Sequence, residues 1–294
     1  MKPIYKIMFF FSIALTIAAI FLVVILGLRL GVDFKGGSVL EVEFKQKIPD
    51  PAELKKVITD LLDLGDVSIS PVGASSVIIR MKDIDESRHQ TILKRIKNNF
   101  GDFEEKRFDS VGPVIGNELR KKSVSAIILV LIAIVVYIAF VFRKLARALS
   151  SWVMGFAAII ALLHDIIIPI GVFTILGKYF NVEISAVFVA AVLTILGYSV
   201  SDTVVVFDRI RENVLRLGAK TDFSEVVHNS ILQTLSRSLN TTFTTLLSLF
   251  AIYFFGGETI KFFALALIIG IFLGAYSSIF VASPILVYFR KFSR

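Results

Sequence analysis

A bundle of six membrane-crossing helices carrying one small α+β domain is the fold this sequence predicts, on three observations. Six apolar runs are each long enough to cross a bilayer. Hydrophobic residues make up 55% of the 294, and the mean hydropathy of +0.79 is too high for a soluble globule. Between the first two runs, residues 29–122 change to the alternating and amphipathic patterns of a water-facing domain.

Residues 7–28 form an uncharged run of 22 after Lys2 and Lys6. It exceeds a typical signal-peptide core and lacks a small-residue cleavage site, so it reads as a first transmembrane helix that starts in the cytoplasm and closes a segment 1–28. GVDFKGG at 31–37 follows, with three glycines in seven residues, and reads as a tight connector leaving the membrane.

The strand pattern begins at once. Over 38–44, Leu40, Val42 and Phe44 alternate with Val39, Glu41 and Glu43. Asp50, Pro51 and Glu53 supply an N-cap, a first-turn proline and a capping acid for a helix whose apolar stripe is Leu54, Val57, Ile58 and Leu61. Short strands at 67–70 and 77–81 flank a turn at 71–76. A second helix from about Asp85 buries Ile92, Leu93 and Ile96, and a weaker strand covers 103–108. The order βαββαβ is ferredoxin-like. His89 reads as a solvated helix residue.

Five further spans make a bundle of residues 123–294: 124–142, 151 to about 176, 184 to about 207, 239–255 and 262–289. Arg143, Lys144 and Arg147 follow the second span and mark that end as cytoplasmic. Of the 15 Lys and Arg outside 29–122, only Lys178 and Lys261 fall in outer loops, as the positive-inside bias requires. Arg120, Lys121 and Lys122 run against it, but they flank a long translocated domain, where the rule is weak. Both termini are therefore expected in the cytoplasm and 29–122 outside. Residues 208–236 form a basic cytoplasmic loop, in which Arg209, Arg211, Arg216 and Lys220 surround Ile210, Val214 and Leu217, a pattern suited to an anionic lipid surface. After Gly218, Asp222 and Glu225 suit a new helix start, and its His228 is expected to be satisfied or solvated.

Charge and composition exclude several classes. The net charge is +8, but residues 29–122 hold 17 basic against 16 acidic side chains, so the excess lies around the spans and implies no nucleic-acid surface. There is no cysteine, and no cluster of metal ligands, phosphate loop or pair of nucleophile and base is legible. No cofactor, no metal and no enzyme chemistry are expected.

The informative residues are ionisable groups within the spans: His164 and Asp165 in the third, Asp202 in the fourth and Arg237 where the fifth begins. A charge in hydrocarbon costs several kcal/mol, so it usually faces a bundle interior, finds a partner and marks an ion pathway. Thr194, Tyr198, Ser201 and Asp202 form one stripe at helical spacing, expected to turn away from lipid, and Arg237, Thr241, Thr245 and Ser248 form another. Asp202 and Arg237 lie at similar depth on antiparallel neighbours and are expected to pair, either as a static pin or as a proton-driven switch. His164 and Asp165, ahead of the kinking Pro169, form a second relay candidate. Gly270 and Gly274 make a GxxxG packing surface in the last span.

Five strings together resemble one family: GVDFKGG, VGPVIGNELRKKSV at 111–124, the HD pair at 164 and 165, GYSVSDTVVVFDRIREN from Gly197, and ILQTLSRSLNTT at 231–242. They look like SecF, the small membrane subunit of the bacterial Sec accessory complex, and the likeness covers the whole chain. The family is similar to resistance-nodulation-division transporters, which use intramembrane carboxylates to harness a proton gradient. The resemblance implies a subunit of the inner membrane that acts with SecD beside the SecYEG channel to promote preprotein passage. It also implies that Asp202 and Arg237 are the charged pair used with protons and that 29–122 is the first extracytoplasmic domain. Ser201 departs from the asparagine the family often carries there, though a hydroxyl can still donate. Starting at the first span of that pattern, the chain is expected to be a separate subunit and not part of a fused SecDF. The competing readings are a passive scaffold of the translocon and a small-molecule exporter, which would prefer larger outer domains and two sets of spans.

Overall fold

The computed structural model describes residues 1–45, 48–60, 63–73, 75–143, 151–217 and 221–292. Leu61, Lys144, Arg147, Gly218 and Lys220 of the sequence reading lie outside the described residues. The chain divides into a membrane unit, Met1–Leu28 with Ser125–Arg294, and a smaller unit, Arg29–Val124. In chain order, helix α1 is Pro3–Leu26 and α2 is Val32–Lys35, followed by strand β1, Gly37–Phe44.

The glycines of GVDFKGG do more than connect. Gly36 and Gly37 have φ of 79° and 129°, where an L side chain is strained. A Cβ on Gly36 would stand 2.7 Å from the Pro113 Cα, and one on Gly37 2.8 Å from the Met81 carbonyl oxygen. Three chain segments meet here because two side chains are missing.

Helix α3 is Pro51–Thr59, β2 Ser68–Val72, β3 Ser76–Met81, α4 Glu86–Phe100 and β4 Phe103–Val111. Every pairing is antiparallel, in the order β2-β3-β1-β4, which is the ferredoxin-like arrangement expected from βαββαβ. The inward residues Leu40, Val42, Val77 and Ile79 are fully buried together with Leu54 and Ile58 of α3 and Ile92 and Ile96 of α4. Each contributes about 1.5–3 kcal/mol by leaving water, which holds the helix layer on one sheet face. Asp50 is the N-cap as read, accepting from the backbone N–H of Ala52 at 2.7 Å, and Asp85, where the second helix was expected to begin, caps it by accepting from that of Arg88 at 2.9 Å.

Two expectations fail in this unit. Residues 71–76 are not all turn, because β2 runs through Pro71 and Val72, opposite Val77 and Ser76. As β2 is an edge strand, a missing N–H on its outer side removes no ladder bond. His89 is not solvated but 4% exposed, stacked on Phe108 with ring centroids 3.7 Å apart, with Glu86 at 3.2 Å and Glu105 at 3.1 Å. An imidazole at this point of α4 reaches β4 and two carboxylates at once.

Helix α5 is Pro113–Val141, α6 Ser151–Phe180, α7 Ala186–Leu217, α8 Phe223–Phe255 and α9 Glu258–Ser277; a π-helical segment, Ser278–Ala282, joins α9 to α10, Ser283–Phe292. Among the described residues six helices are long and apolar enough to cross a membrane, matching the six expected spans. Helix α5 starts at Pro113 instead of Val124, since proline is favoured at a first helical position. Helix α8 joins the expected loop helix and fifth span into one rod, with neither Gly nor Pro to break it. The π segment precedes Pro284, which has no N–H and whose ring would meet the Phe280 carbonyl in α geometry. Widening the turn relieves that clash, and Ser283 Oγ donates to the Ser278 carbonyl at 2.7 Å.

Glycines set the closest approaches in the membrane unit. A Cβ on Gly171 of α6 would lie 2.7 Å from that of Ala19 in α1, and one on Gly270 of α9 2.2 Å from Ile195 Cδ1 in α7. Phe10, Phe21 and Val24 of α1 and Leu129, Ile132 and Phe140 of α5 are exposed, an arrangement that suits hydrocarbon and not water.

Candidate functional site

Asp165 sits in the middle of α6 with 0% exposure. Its Oδ1 lies 2.8 Å from His164 Nδ1, and its Oδ2 accepts from Ser199 Oγ of α7 at 2.5 Å and from Ser277 Oγ of α9 at 2.7 Å. Three helices thus hold one carboxylate. A Cβ on Gly274 would stand 3.0 Å from Ser199 Cβ, so this glycine lets α9 come close enough for Ser277 to share the oxygen. His164 Nε2 is buried with no partner among the described residues. Its ring stacks on Tyr276 at 6.1 Å between centroids, and the Tyr276 hydroxyl donates to the Met8 carbonyl of α1 at 2.9 Å and accepts from Ser12 Oγ at 3.0 Å.

Asp202 is half-buried, one turn beyond Ser199 on α7, and its Oδ2 accepts from Ser278 Oγ at 2.5 Å. No ion pair joins it to Arg237 among the described residues. Arg237 is exposed on α8 and lines an open cavity of about 510 Å³ with Asp208, Glu212 and Gln233. The expected pair is therefore separated in this conformation.

The two polar stripes are rotated relative to the expectation. Thr194 and Ser201 are exposed, while Tyr198 reaches the Thr242 hydroxyl of α8 at 3.2 Å. The inward face of α7 is instead Ile195, Ser199, Thr203, Val206 and Ile210. On α8, Thr241 is exposed and Thr245 half-buried, whereas Ser230, Thr234, Ser238 and Thr242 are buried, the same polar pattern displaced by one residue. The outward hydroxyls satisfy themselves on their own helix: Thr194 donates to Ala190 O at 2.9 Å, Thr241 to Arg237 O at 2.5 Å and Thr245 to Thr241 O at 2.8 Å. A hydroxyl satisfied in this way costs little where it leaves the bundle interior.

Sequence reasoning missed Ser199, Ser277 and Ser278. The consecutive serines interrupting an apolar last span, and a serine three residues before Asp202, were the available signals.

The loop region is more internally paired than its basic pattern implied. Arg209 meets Glu212 at 2.6 Å and Arg211 meets Asp208 at 3.0 Å, while Asn213 is buried and donates to Ser230 and Gln233 of α8. His228 is satisfied as expected, with the Tyr5 hydroxyl 2.7 Å from Nδ1 and Lys2 Nζ 2.5 Å from Nε2.

Carboxylates held by hydroxyls inside a bundle can take up and release a proton without other chemistry; among the described residues no group of side chains could hold a metal ion. The fold and this site define a multi-pass membrane protein with an ionisable centre inside its helices. Residues 91–292 match the family model described as protein export membrane protein SecD/SecF, C-terminal, and residues 21–48 match the SecD/SecF GG motif, which contains GVDFKGG. The chain is 44% identical to the protein translocase subunit SecF of Thermobaculum terrenum over 94% of this chain and 89% of that one. It is 40% identical to the SecF of Anaerolinea thermophila over 95% and 90%. The crystal structure of SecDF, a translocon-associated membrane protein from Thermus thermophilus, superposes with a TM-score of 0.83 at 32% identity, covering 98% of this chain and 38% of that longer one. The chain belongs to the SecF family of protein translocase subunits.

Proposed function

We propose that this subunit acts with SecD to draw on the proton gradient and promote preprotein passage through the SecYEG channel, without enzyme chemistry of its own. The observation that carries the reading is the fully enclosed Asp165, held by side chains of three helices and backed by His164. An ionised carboxylate so enclosed depends on its hydrogen bonds, so binding a proton changes which helix packing is preferred. Asp202 on the same helix pair is the second proton site, and Arg237 pairs with it in the alternative packing of α7 and α8. One proton moving down 100 mV releases about 2.3 kcal/mol, enough to bias two packings of similar energy. Both termini lie in the cytoplasm and residues 29–122 outside, an orientation supported by the placement of Lys and Arg around the spans.

The test is preprotein export into membrane vesicles, with and without an imposed proton gradient, for Asp165→Asn, Asp202→Asn and Arg237→Met. Loss of the gradient-dependent part in each is expected. Export that keeps its full gradient dependence in all three leaves the subunit a passive scaffold of the translocon.

A further inference from the structure

Ser277 and Ser278 are neighbours in sequence, yet they hold different carboxylates on different helices: Ser277 donates to Asp165 of α6 and Ser278 to Asp202 of α7. Each hydroxyl also lies close to the carbonyl three residues back in its own helix. Ser277 Oγ is 3.2 Å from Gly274 O, and Ser278 Oγ is 3.0 Å from Ala275 O. A serine has one hydrogen to give. With an ionised carboxylate it gives that hydrogen to the carboxylate. When the carboxyl carries a proton, the acid becomes the donor to serine Oγ, and the serine hydrogen turns to the backbone carbonyl. The proton remains on the carboxyl and the hydroxyl keeps its own.

Both alternative acceptors belong to the same turn, 274–278, which opens directly into the π segment. Single π turns inside α-helices occur frequently at functional sites. Gly274 presses this turn against Ser199, the other donor to Asp165, so the turn cannot shift without disturbing that carboxylate as well. We propose that the tandem-serine turn couples the protonation of Asp165 to that of Asp202, so that the two titrate as a linked pair and not as independent sites.

The surroundings contain few other charges. His164 is the titratable neighbour of Asp165 from α6, Tyr276 of α9 stacks on that histidine, and α1 offers the Met8 carbonyl and the Ser12 hydroxyl. Near Asp202, Asp208 lies further along α7, and Arg237 stands on α8 without an ion pair to Asp202 among the described residues. The adjacent serines thus link the two carboxylates through one turn at the end of α9, beside the turn of α7 that runs from Ser199 to Asp202.

The inference rests on the proton reading for its biological use, but its test does not. The full chain with ¹³C-labelled aspartate, in lipid nanodiscs, is titrated by difference infrared spectroscopy of the carboxyl bands. Asp165→Asn is expected to move the Asp202 midpoint by about one pH unit, the size that marks interacting sites. In the Ser278→Ala background that displacement is expected to vanish, and Ser278→Thr, which keeps a hydroxyl, is expected to restore it. The same displacement in Ser278→Ala as in the parent overturns the proposal, as does no displacement in the parent. If the coupling is found while Asp165→Asn and Asp202→Asn export with full gradient dependence, the proton reading falls and the coupling stands. The reverse result removes the coupling alone.

Discussion

Gly274 lies so close to Ser199 that a Cβ on the glycine would sit 3.0 Å from the serine's own Cβ. This approach of α9 to α7 brings Ser277 and Ser199 onto one oxygen of Asp165. Gly274→Leu forces the helices apart and is expected to destabilise the bundle by about 1–3 kcal/mol. Thermal unfolding in detergent measures this, with Gly197→Ala as the control: nothing lies within 4 Å of a Cβ there, and alanine in a helix is expected to be neutral or stabilising.

In the smaller unit, His89 joins α4 to β4 by stacking on Phe108 and meeting Glu86 and Glu105. His89→Leu keeps bulk but leaves both acids without the imidazole. A loss of about 1–3 kcal/mol is expected, read as faster amide exchange in α4.

Lys106 and Glu43 make a pH-dependent pair at 2.8 Å. The Lys106 and Ser75 hydrogen bonds hold the Glu43 carboxyl below its ordinary range, and the bonds to Glu43 and Glu104 hold the Lys106 ammonium above its own. The signs follow. The Glu43 contribution is present at neutral pH and is lost as the solution is acidified through its lowered midpoint. The Lys106 contribution is present at neutral pH and is lost as pH rises through its raised one. NMR titration of Glu43 checks this: Lys106→Gln should move its midpoint up, and salt should shrink the difference because both groups are exposed to solvent.

At the start of α1, Tyr5 is 7% exposed and bonds His228 across to α8. Tyr5→Phe keeps the ring beside Phe280 and removes the hydroxyl. Increased exchange of the first turn of α1 is expected, with the centre of the helix unchanged.

Much of this was legible because it depends on one-dimensional pattern. Alternation at Leu40, Val42 and Phe44, the cap at Asp50, the helix start at Asp85, and six long apolar runs each follow from local chemistry and hold in the structure. The site was legible in part. His164 and Asp165 stood out as charge in hydrocarbon, but their priority over Asp202 depends on burial by Ser199 and Ser277, which are remote in sequence. The facing stripes were misjudged because α8 carries Ser and Thr at adjacent positions, so the polar pattern fits two rotations one residue apart. Packing inside the bundle buries Ser238 and Thr242 and leaves Arg237 and Thr241 exposed. The π segment was missed because it arises from Pro284 acting on the turn before it, not from any periodicity.

The most direct measurement is whether Asp165 changes its protonation when a gradient is imposed. Vesicles containing the full chain with its SecD partner and ¹³C-labelled aspartate, followed by infrared difference spectroscopy, report the carboxyl band, with Asp165→Asn to assign it. The expected result is a protonated-carboxyl signal that rises and falls with the imposed gradient and is missing in Asp165→Asn. A band for Asp165 that stays in one protonation state at every pH and every gradient would contradict the proton-coupled reading.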